Sequence, residues 1–314
     1  MADTILKELN ASKLFDLQGV VAVVTGGGTG IGMMISSTLV ANGATVYIIG
    51  PKQEDLDRVA NTYNRASTRG KIHGIEGDVR LKAKAKRLAD EIAKREEYVT
   101  VLFNNAGVGG GNFKRPSEAT AAAFVAEFFD PVTQDIFDDT LRVNAVGAYW
   151  MTRKFVPQII MTSSMNGWTK DSATSGVSYP YLFSKSAIGH FTSTLAHELL
   201  PLGIRVNGIA PGLFPSEMSI KKKSDDCGVS YIPSGTRWGF EIPAGSTGGT
   251  RVDIGTLALF LVANHFVNGE TVLIDGGVSS LWSVILICNL TDISRPFSSI
   301  LLHTRINSVL YVLL

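Results

Sequence analysis

The sequence predicts an α/β fold built on one doubly wound parallel sheet. Three observations carry this reading. A β-branched run, Val20 to Thr25, breaks into Gly26-Gly27-Gly28 and then a helical stretch; strand-like and helix-like segments alternate from there to Ile274; and no linker divides them. The first helix spans Ile31 to Ala41, with Asn42-Gly43 as its stop, and Ala44 to Ile49 is the next buried strand, closing a βαβ unit. Lys71 to Gly77 is a third strand, Leu81 to Arg95 a charged amphipathic helix, and Val99 to Phe103 a fourth strand ending in Asn104-Asn105-Ala106-Gly107. Further strands are expected at Ile159 to Thr162, Ile204 to Ile209 and Thr271 to Ile274, with helices at Asn144 to Val156 and Ser184 to Leu200.

Composition narrows the function classes. A hydrophobic share of 45% with 18% charged residues is that of a folded globular protein. The 29 basic and 28 acidic side chains nearly cancel, so no global charge favours nucleic acid or an anionic membrane as partner, and a small molecule is expected instead. Cys227 and Cys288 lack CxxC spacing, which argues against a disulfide framework or zinc site and suits a reducing compartment. His197-Glu198 has no second histidine to complete an HExxH pair, and no metal is expected. Met1 to Leu14 mixes charges among its apolar residues and does not form an export signal, and Val284 to Cys288 is far shorter than the roughly 20 residues of a spanning helix. A cytoplasmic protein without a membrane span is the expectation.

The chemistry concentrates at four places. Thr25-Gly-Gly-Gly-Thr-Gly-Ile-Gly32 opens a helix, so backbone amides and the helix dipole can meet a pyrophosphate that side chains do not block; Gly26, Gly30 and Gly32 are spaced GxxxGxG rather than GxGxxG. Tyr181 and Lys185 stand four positions apart, on one face of a helix, where a cation can stabilise a phenolate whose free pKa is near ~10. Ser163-Ser164 follows an apolar strand and can place a hydroxyl at its carboxyl end, where such sheets bind ligands. Gly50-Pro51-Lys52 closes the second strand without the acid that bonds a ribose 2′-hydroxyl in NAD-preferring sites, and Lys52 adds a cation, so NADP is expected over NAD.

These residues resemble, in order and over roughly Leu17 to Val278, the short-chain dehydrogenase/reductase family of Rossmann-fold proteins: TGGGTGIG at Thr25 to Gly32, Asp78-Val79, NNAG at Asn104 to Gly107, Asn144, Ser164, Tyr181 with Lys185, Pro211-Gly212 and Ile274-Asp-Gly-Gly277. The resemblance implies that Tyr181 exchanges the proton with the substrate oxygen, that Ser164 orients it, that Lys185 holds the nicotinamide ribose and lowers the tyrosine pKa, and that Asn144 supports Lys185 through a water. It places the dinucleotide on Thr25, Gly26, Gly30, Ile31, Gly32, Asp78, Val79, Asn105, Ala106, Gly107, Tyr181, Lys185, Pro211 and Gly212, with Leu213 and Ser216 at the carboxamide. It implies a homodimer or homotetramer acting on a small carbonyl or alcohol. Ile209 to Met218 and Ile242 to Gly245 look like the 3-oxoacyl-thioester reductase branch, with a substrate loop at about 213–245 in which Tyr231, Trp238 and Phe240 line an apolar pocket or pack a lid. The competing expectation is a catalytically weak or silent dinucleotide-binding sensor or assembly subunit.

Several stretches depart from that pattern. Residues 1–16 form an N-terminal extension, and 279–314 an apolar, serine-containing tail with a sequon at Asn289. Gly107 to Asn144 is long, and its acidic section Glu127 to Asp139 reads as an inserted surface helix or flap. Ser164 and Tyr181 lie far apart, so Lys170 to Val177 should bulge beside the site. Asn144 to Ser164 is short: a helix to Val156, then Pro157, leaves almost no turn, so either the last helical turn gives way or Ser164 is displaced and turnover is weak.

Overall fold

The computed structural model describes residues 2–111, 113, 116–152, 156–170, 174, 178–245 and 247–280. Residues 1–279 form one compact unit; the tail beyond Ser280, with its sequon, lies outside the described residues. Helices α1 (Ala2–Glu8) and α2 (Ala11–Leu14) bury no side chain, and core packing begins at Leu17.

The strands are β1 (Val21–Thr25), β2 (Thr45–Gly50), β3 (Lys71–Glu76), β4 (Val101–Asn104), β5 (Gln158–Thr162), β6 (Arg205–Pro211) and β7 (Thr271–Ile274), all parallel, in the order β3-β2-β1-β4-β5-β6-β7. Helices on both faces explain why β1, β4 and β5 are buried at every position: parallel crossovers cover both sides. Alternation assigns the faces. Ala22 and Val24 join the core under α3 (Gly30–Ala41), α4 (Gln53–Ala66) and α11 (Arg251–Ala263), whereas Val21 and Val23 join the one under α5 (Lys82–Ile92), α8 (Gly147–Met151) and α9 (Tyr179–Glu198). α3 is apolar nearly all round because it lies between sheet and α11; a Cβ on Gly255 would stand 2.4 Å from the Thr38 hydroxyl.

The remaining helices correct the sequence reading. Acidic Glu127 to Asp139 is not one inserted helix. It runs from within the π-helical turn Val125–Phe129 that continues α6 (Ala121–Phe124) into α7 (Gln134–Leu141), capped by Thr133, whose hydroxyl accepts from Ile136 N at 3.2 Å. The last short helix, α10 (Glu217–Ile220), follows β6 within the stretch expected to form the substrate loop. Asn144 does not start a helix. It sits in a π-helical turn, Arg142–Val146, between α7 and α8, so the helical run begins ten residues earlier and ends at Met151, not Val156. Since β5 starts at Gln158, the connection has room, and the expected squeeze is resolved by the helix giving way. Of the expected bulge at Lys170 to Val177, residues 171–173 and 175–177 lie outside the described residues.

Candidate active site

The carboxyl ends of β1, β4, β5 and β6 converge on one edge, and side-chain hydrogen bonds lock them together. The Thr25 hydroxyl accepts from Asn105 N (2.9 Å) and Ala106 N (3.0 Å), and the Asn105 amide donates to Thr25 O at 3.1 Å. That joins the exit of β4 to the glycine turn. Gly26 and Gly30 take φ of +64° and +52°, a region costly for other residues. A Cβ on Gly32 would lie 2.0 Å from Gly26 O. Over this turn opens a cleft of about 470 Å³.

Ser164 leaves β5 as the cap of a short 3₁₀ turn, its hydroxyl accepting from Asn166 N at 3.2 Å. Tyr181 enters the cleft one residue pair into α9, and the Ser164 hydroxyl is within hydrogen-bonding reach of its phenol. Lys185, one turn on, is only 3% exposed; its ammonium donates to Thr162 O at 2.8 Å and lies 5.7 Å from the Tyr181 ring centroid. Ser163 ties α9 to β5 by donating to Lys185 O at 2.7 Å. Buried Asn144 donates to Val108 O (2.9 Å) and Ser184 Oγ (2.9 Å) and accepts from Val108 N (2.8 Å). A Cβ on Gly107 would be 3.3 Å from Asn144 Oδ1 and 3.5 Å from Lys185 Nζ, so the asparagine and the lysine meet beside that glycine. Ser164 is not displaced from Tyr181.

Burial raises Tyr181 above its ordinary value, offset in part by the Ser164 hydroxyl, while the Lys185 ammonium lies against the ring and bonds a carbonyl rather than the phenol oxygen. Burial likewise lowers Lys185 to about 8. Below pH 8 the native state carries a buried charge, at a cost on the order of 3 kcal/mol; between about 8 and 10.5 the unfolded chain keeps the proton that the native state has lost, so stability rises with pH. Lys185→Met should therefore be more stable than the parent protein at pH 7, with the advantage shrinking towards pH 10. Urea unfolding across that range tests it, and a variant less stable at every pH would refute the assignment of a functional cost to this lysine.

The cleft brings together Ser164, Tyr181, Lys185, Gly26, Gly30, Ile31, Gly32, Asn105, Ala106, Gly107, Pro211, Gly212, Leu213 and Ser216. Thr25 lies directly behind them, buried. Four more expected residues are, like Thr25, not on the cleft wall. Asn144 acts from behind through Val108; Lys52 is exposed at the cap of α4; Asp78 pairs with Arg80 at 2.7 Å, and Arg80 also pairs with Asp139; Val79 packs in the core, where a Cβ on Gly147 would reach it at 2.9 Å. Sequence reasoning missed Met165, Asn166, Ser178 and Met218 on the wall. Only the run of glycines to Gly111 signalled that the chain past Gly107 lines a surface. Trp238 and Phe240 line the cleft, but Tyr231 is 64% exposed and faces a separate hollow with Met33 and Tyr63.

A positive-φ glycine turn at a helix start, below a Ser–Tyr–Lys set at the sheet's carboxyl edge, fits a nicotinamide dinucleotide: the helix start and a backbone without side chains suit its pyrophosphate, and a Cβ on Gly30 would fill the cradle, 2.8 Å from Ser216. That defines an oxidoreductase of CH–OH and C=O groups. The chain belongs to the short-chain dehydrogenase/reductase family, whose short chain dehydrogenase pattern matches residues 20–226. It is similar to the short-chain dehydrogenase/reductase PhomF of Diaporthe leptostromiformis, 34% identical over 298 residues that cover 90% of this chain and 98% of that protein. It is also 29% identical to the rhamnolipids biosynthesis 3-oxoacyl-acyl-carrier-protein reductase of Pseudomonas aeruginosa, over 84% of this chain and 97% of that one. Among solved structures, the Pseudomonas aeruginosa RhlG/NADP active-site complex superposes with a TM-score of 0.68 at 25% identity, covering 85% of this chain and 98% of that chain. No described helix is long and apolar enough to cross a membrane, and no cluster of three or more metal-binding side chains occurs among the described residues.

Proposed function

We propose that this protein is an NADP(H)-dependent ketoreductase of the 3-oxoacyl-thioester reductase type. The observation that carries the reading is the alignment of Ser164, Tyr181 and Lys185 in one cleft with the glycine cradle. The dinucleotide, when bound, supplies the hydride. Tyr181, held protonated by its burial, gives the phenol proton to the substrate oxygen; Ser164 donates a hydrogen bond that orients that oxygen; Lys185, kept in place by Thr162 O beside the phenol ring, would hold the nicotinamide ribose. Asn144 keeps Val108 and Ser184, and through them the mouth of the site, in register. In the reverse direction the same groups accept the proton from an alcohol.

The cleft wall supports this substrate class. Its charged side chains, among the described residues, are Lys185 and Glu217, and Glu217 is engaged by Ser224 N and Oγ at 2.8 and 2.7 Å. Met165, Met218, Trp238 and Phe240 supply apolar surface, which suits an uncharged carbonyl such as an acyl chain. The Pseudomonas relative, named as a 3-oxoacyl reductase, supports this. Exposed Tyr149 on α8 and Phe183 on α9 support a homodimer or homotetramer through these helices. A panel of 3-oxoacyl thioesters, simple ketones and alcohols, each with both dinucleotides and followed by nicotinamide absorbance, tests the proposal. Turnover should be fastest with 3-oxoacyl thioesters and NADPH; dinucleotide binding without turnover of any member would overturn it.

The cofactor preference rests on Gly50, at the end of β2, and exposed Lys52, with the RhlG/NADP complex as a supporting relative. Gly50→Asp should move preference towards NADH by at least about tenfold, a charge effect of about 1.4 kcal/mol. The new Cβ would meet Leu56 Cδ2 at 3.1 Å, which a rotation of that flexible side chain relieves. Unchanged relative affinities in a fluorescence titration would show that this corner does not face the ribose.

A further inference from the structure

Part of the loop that follows β6 leaves the cleft. After α10 its next residues cross to the far side of the glycine turn and fasten to α4. Gly228 O accepts from Gly30 N at 3.2 Å, and a Cβ on Gly228 would stand 2.3 Å from Gly28 O. Cys227 O accepts from the Tyr63 hydroxyl at 3.1 Å, Arg58 pairs with Asp226 at 2.9 Å, and Lys223 pairs with Asp55 at 3.3 Å. These partners lie at one corner of the fold: Cβ atoms on Gly28 and on Gly50 would both touch Leu56 Cδ2, at 3.2 and 3.1 Å, so the glycine turn, the end of β2 and the first turn of α4 meet there. In a doubly wound sheet that corner takes the adenosine ribose.

We propose that Lys223, carried there by the substrate loop, reads the 2′-phosphate of NADP(H); this rests on the NADP(H) reading above. Strand β2 itself supplies no cation at its end, and Lys52 is the nearest one in sequence. Of the cations near α4, Arg58 is committed to two carboxylates, Asp55 at 3.0 Å and Asp226 at 2.9 Å. Lys223 shares Asp55 with Arg58, at the longer distance of 3.3 Å, with 70% of its side chain exposed. Such an exposed pair is worth only about 0–1 kcal/mol and exchanges readily. A phosphate monoester, at about −1.5 to −2 charges, is the stronger partner for a flexible ammonium. NADH has no group to complete that exchange, so discrimination arises when the loop is fastened to α4, and the substrate loop takes part in cofactor choice.

Calorimetric titration of the parent protein, Lys223→Ala and Lys222→Ala with NADPH, NADH and adenosine 2′,5′-bisphosphate tests this without turnover. Lys223→Ala should weaken NADPH and the bisphosphate by roughly tenfold or more, in line with loss of a charged hydrogen bond, leave NADH within about twofold, and reduce the salt dependence of NADPH binding. Lys222, its exposed neighbour, should be silent, and Lys223→Arg should restore binding. A parent protein that prefers NADPH while Lys223→Ala binds it unchanged overturns the role of Lys223 and leaves the cofactor reading standing. Equal losses for NADPH and NADH would show the lysine to be a loop fastener only. A parent protein that binds NADH as tightly as NADPH overturns both.

Discussion

Tyr181→Phe is expected to lower turnover by about 10²–10⁴-fold, the usual contribution of a positioned acid or base. The phenol is the group in the cleft that combines an exchangeable proton with contact to the Ser164 hydroxyl, and its raised pKa keeps that proton in place at neutral pH. Removing the oxygen deletes no contact that holds the fold: the ring remains at the start of α9, and Lys185 keeps its bond to Thr162 O. Dinucleotide affinity by fluorescence titration should therefore change little while the chemical step slows. Tyr179 is no substitute, because it is 53% exposed at the helix start and packs edge-on against Phe128. A variant with near-parental turnover on a confirmed substrate would remove Tyr181 from the mechanism.

Gly32→Ala should have the largest effect on folding and binding together. Its Cβ would lie 2.0 Å from Gly26 O and 2.6 Å from Asn105 Nδ2, against backbone and a side chain already bonded to β1. Neither can yield without opening the glycine turn, so we expect a loss of at least about 3 kcal/mol, the upper part of the overpacking range, and roughly 5–10 °C in Tm, with dinucleotide binding lost. Gly239→Ala, whose Cβ would meet nothing within 4 Å, is the matched control and should be nearly neutral. Thermal unfolding of both variants decides the matter: equal stabilities would mean that the turn tolerates a methyl group and is not the close-packed cradle described.

The sequence by itself determined the class of fold and singled out Ser164, Tyr181 and Lys185, which the fold brings into one cleft. Buried parallel strands read as apolar runs, a helix that begins on glycines has few other uses at a strand end, and Tyr181 with Lys185 needs only helical spacing to share a face. Those are local properties, visible in a window of a few residues. What only the tertiary structure decided depends on residues far apart in the chain. Asn144 looked like a helix start and is the middle of a π-helical turn, because Thr133 caps the run earlier and Val108, from another connection, takes its amide. The desolvation that raises the phenol pKa and the direction of the Lys185 bond to Thr162 O are set by packing, not by separation along a helix. Lys223 carried no motif at all; its place beside Asp55 exists only because Gly28, Gly30 and Tyr63 hold the substrate loop against them, and a charge gains its meaning from the groups the fold brings within a few ångströms of it.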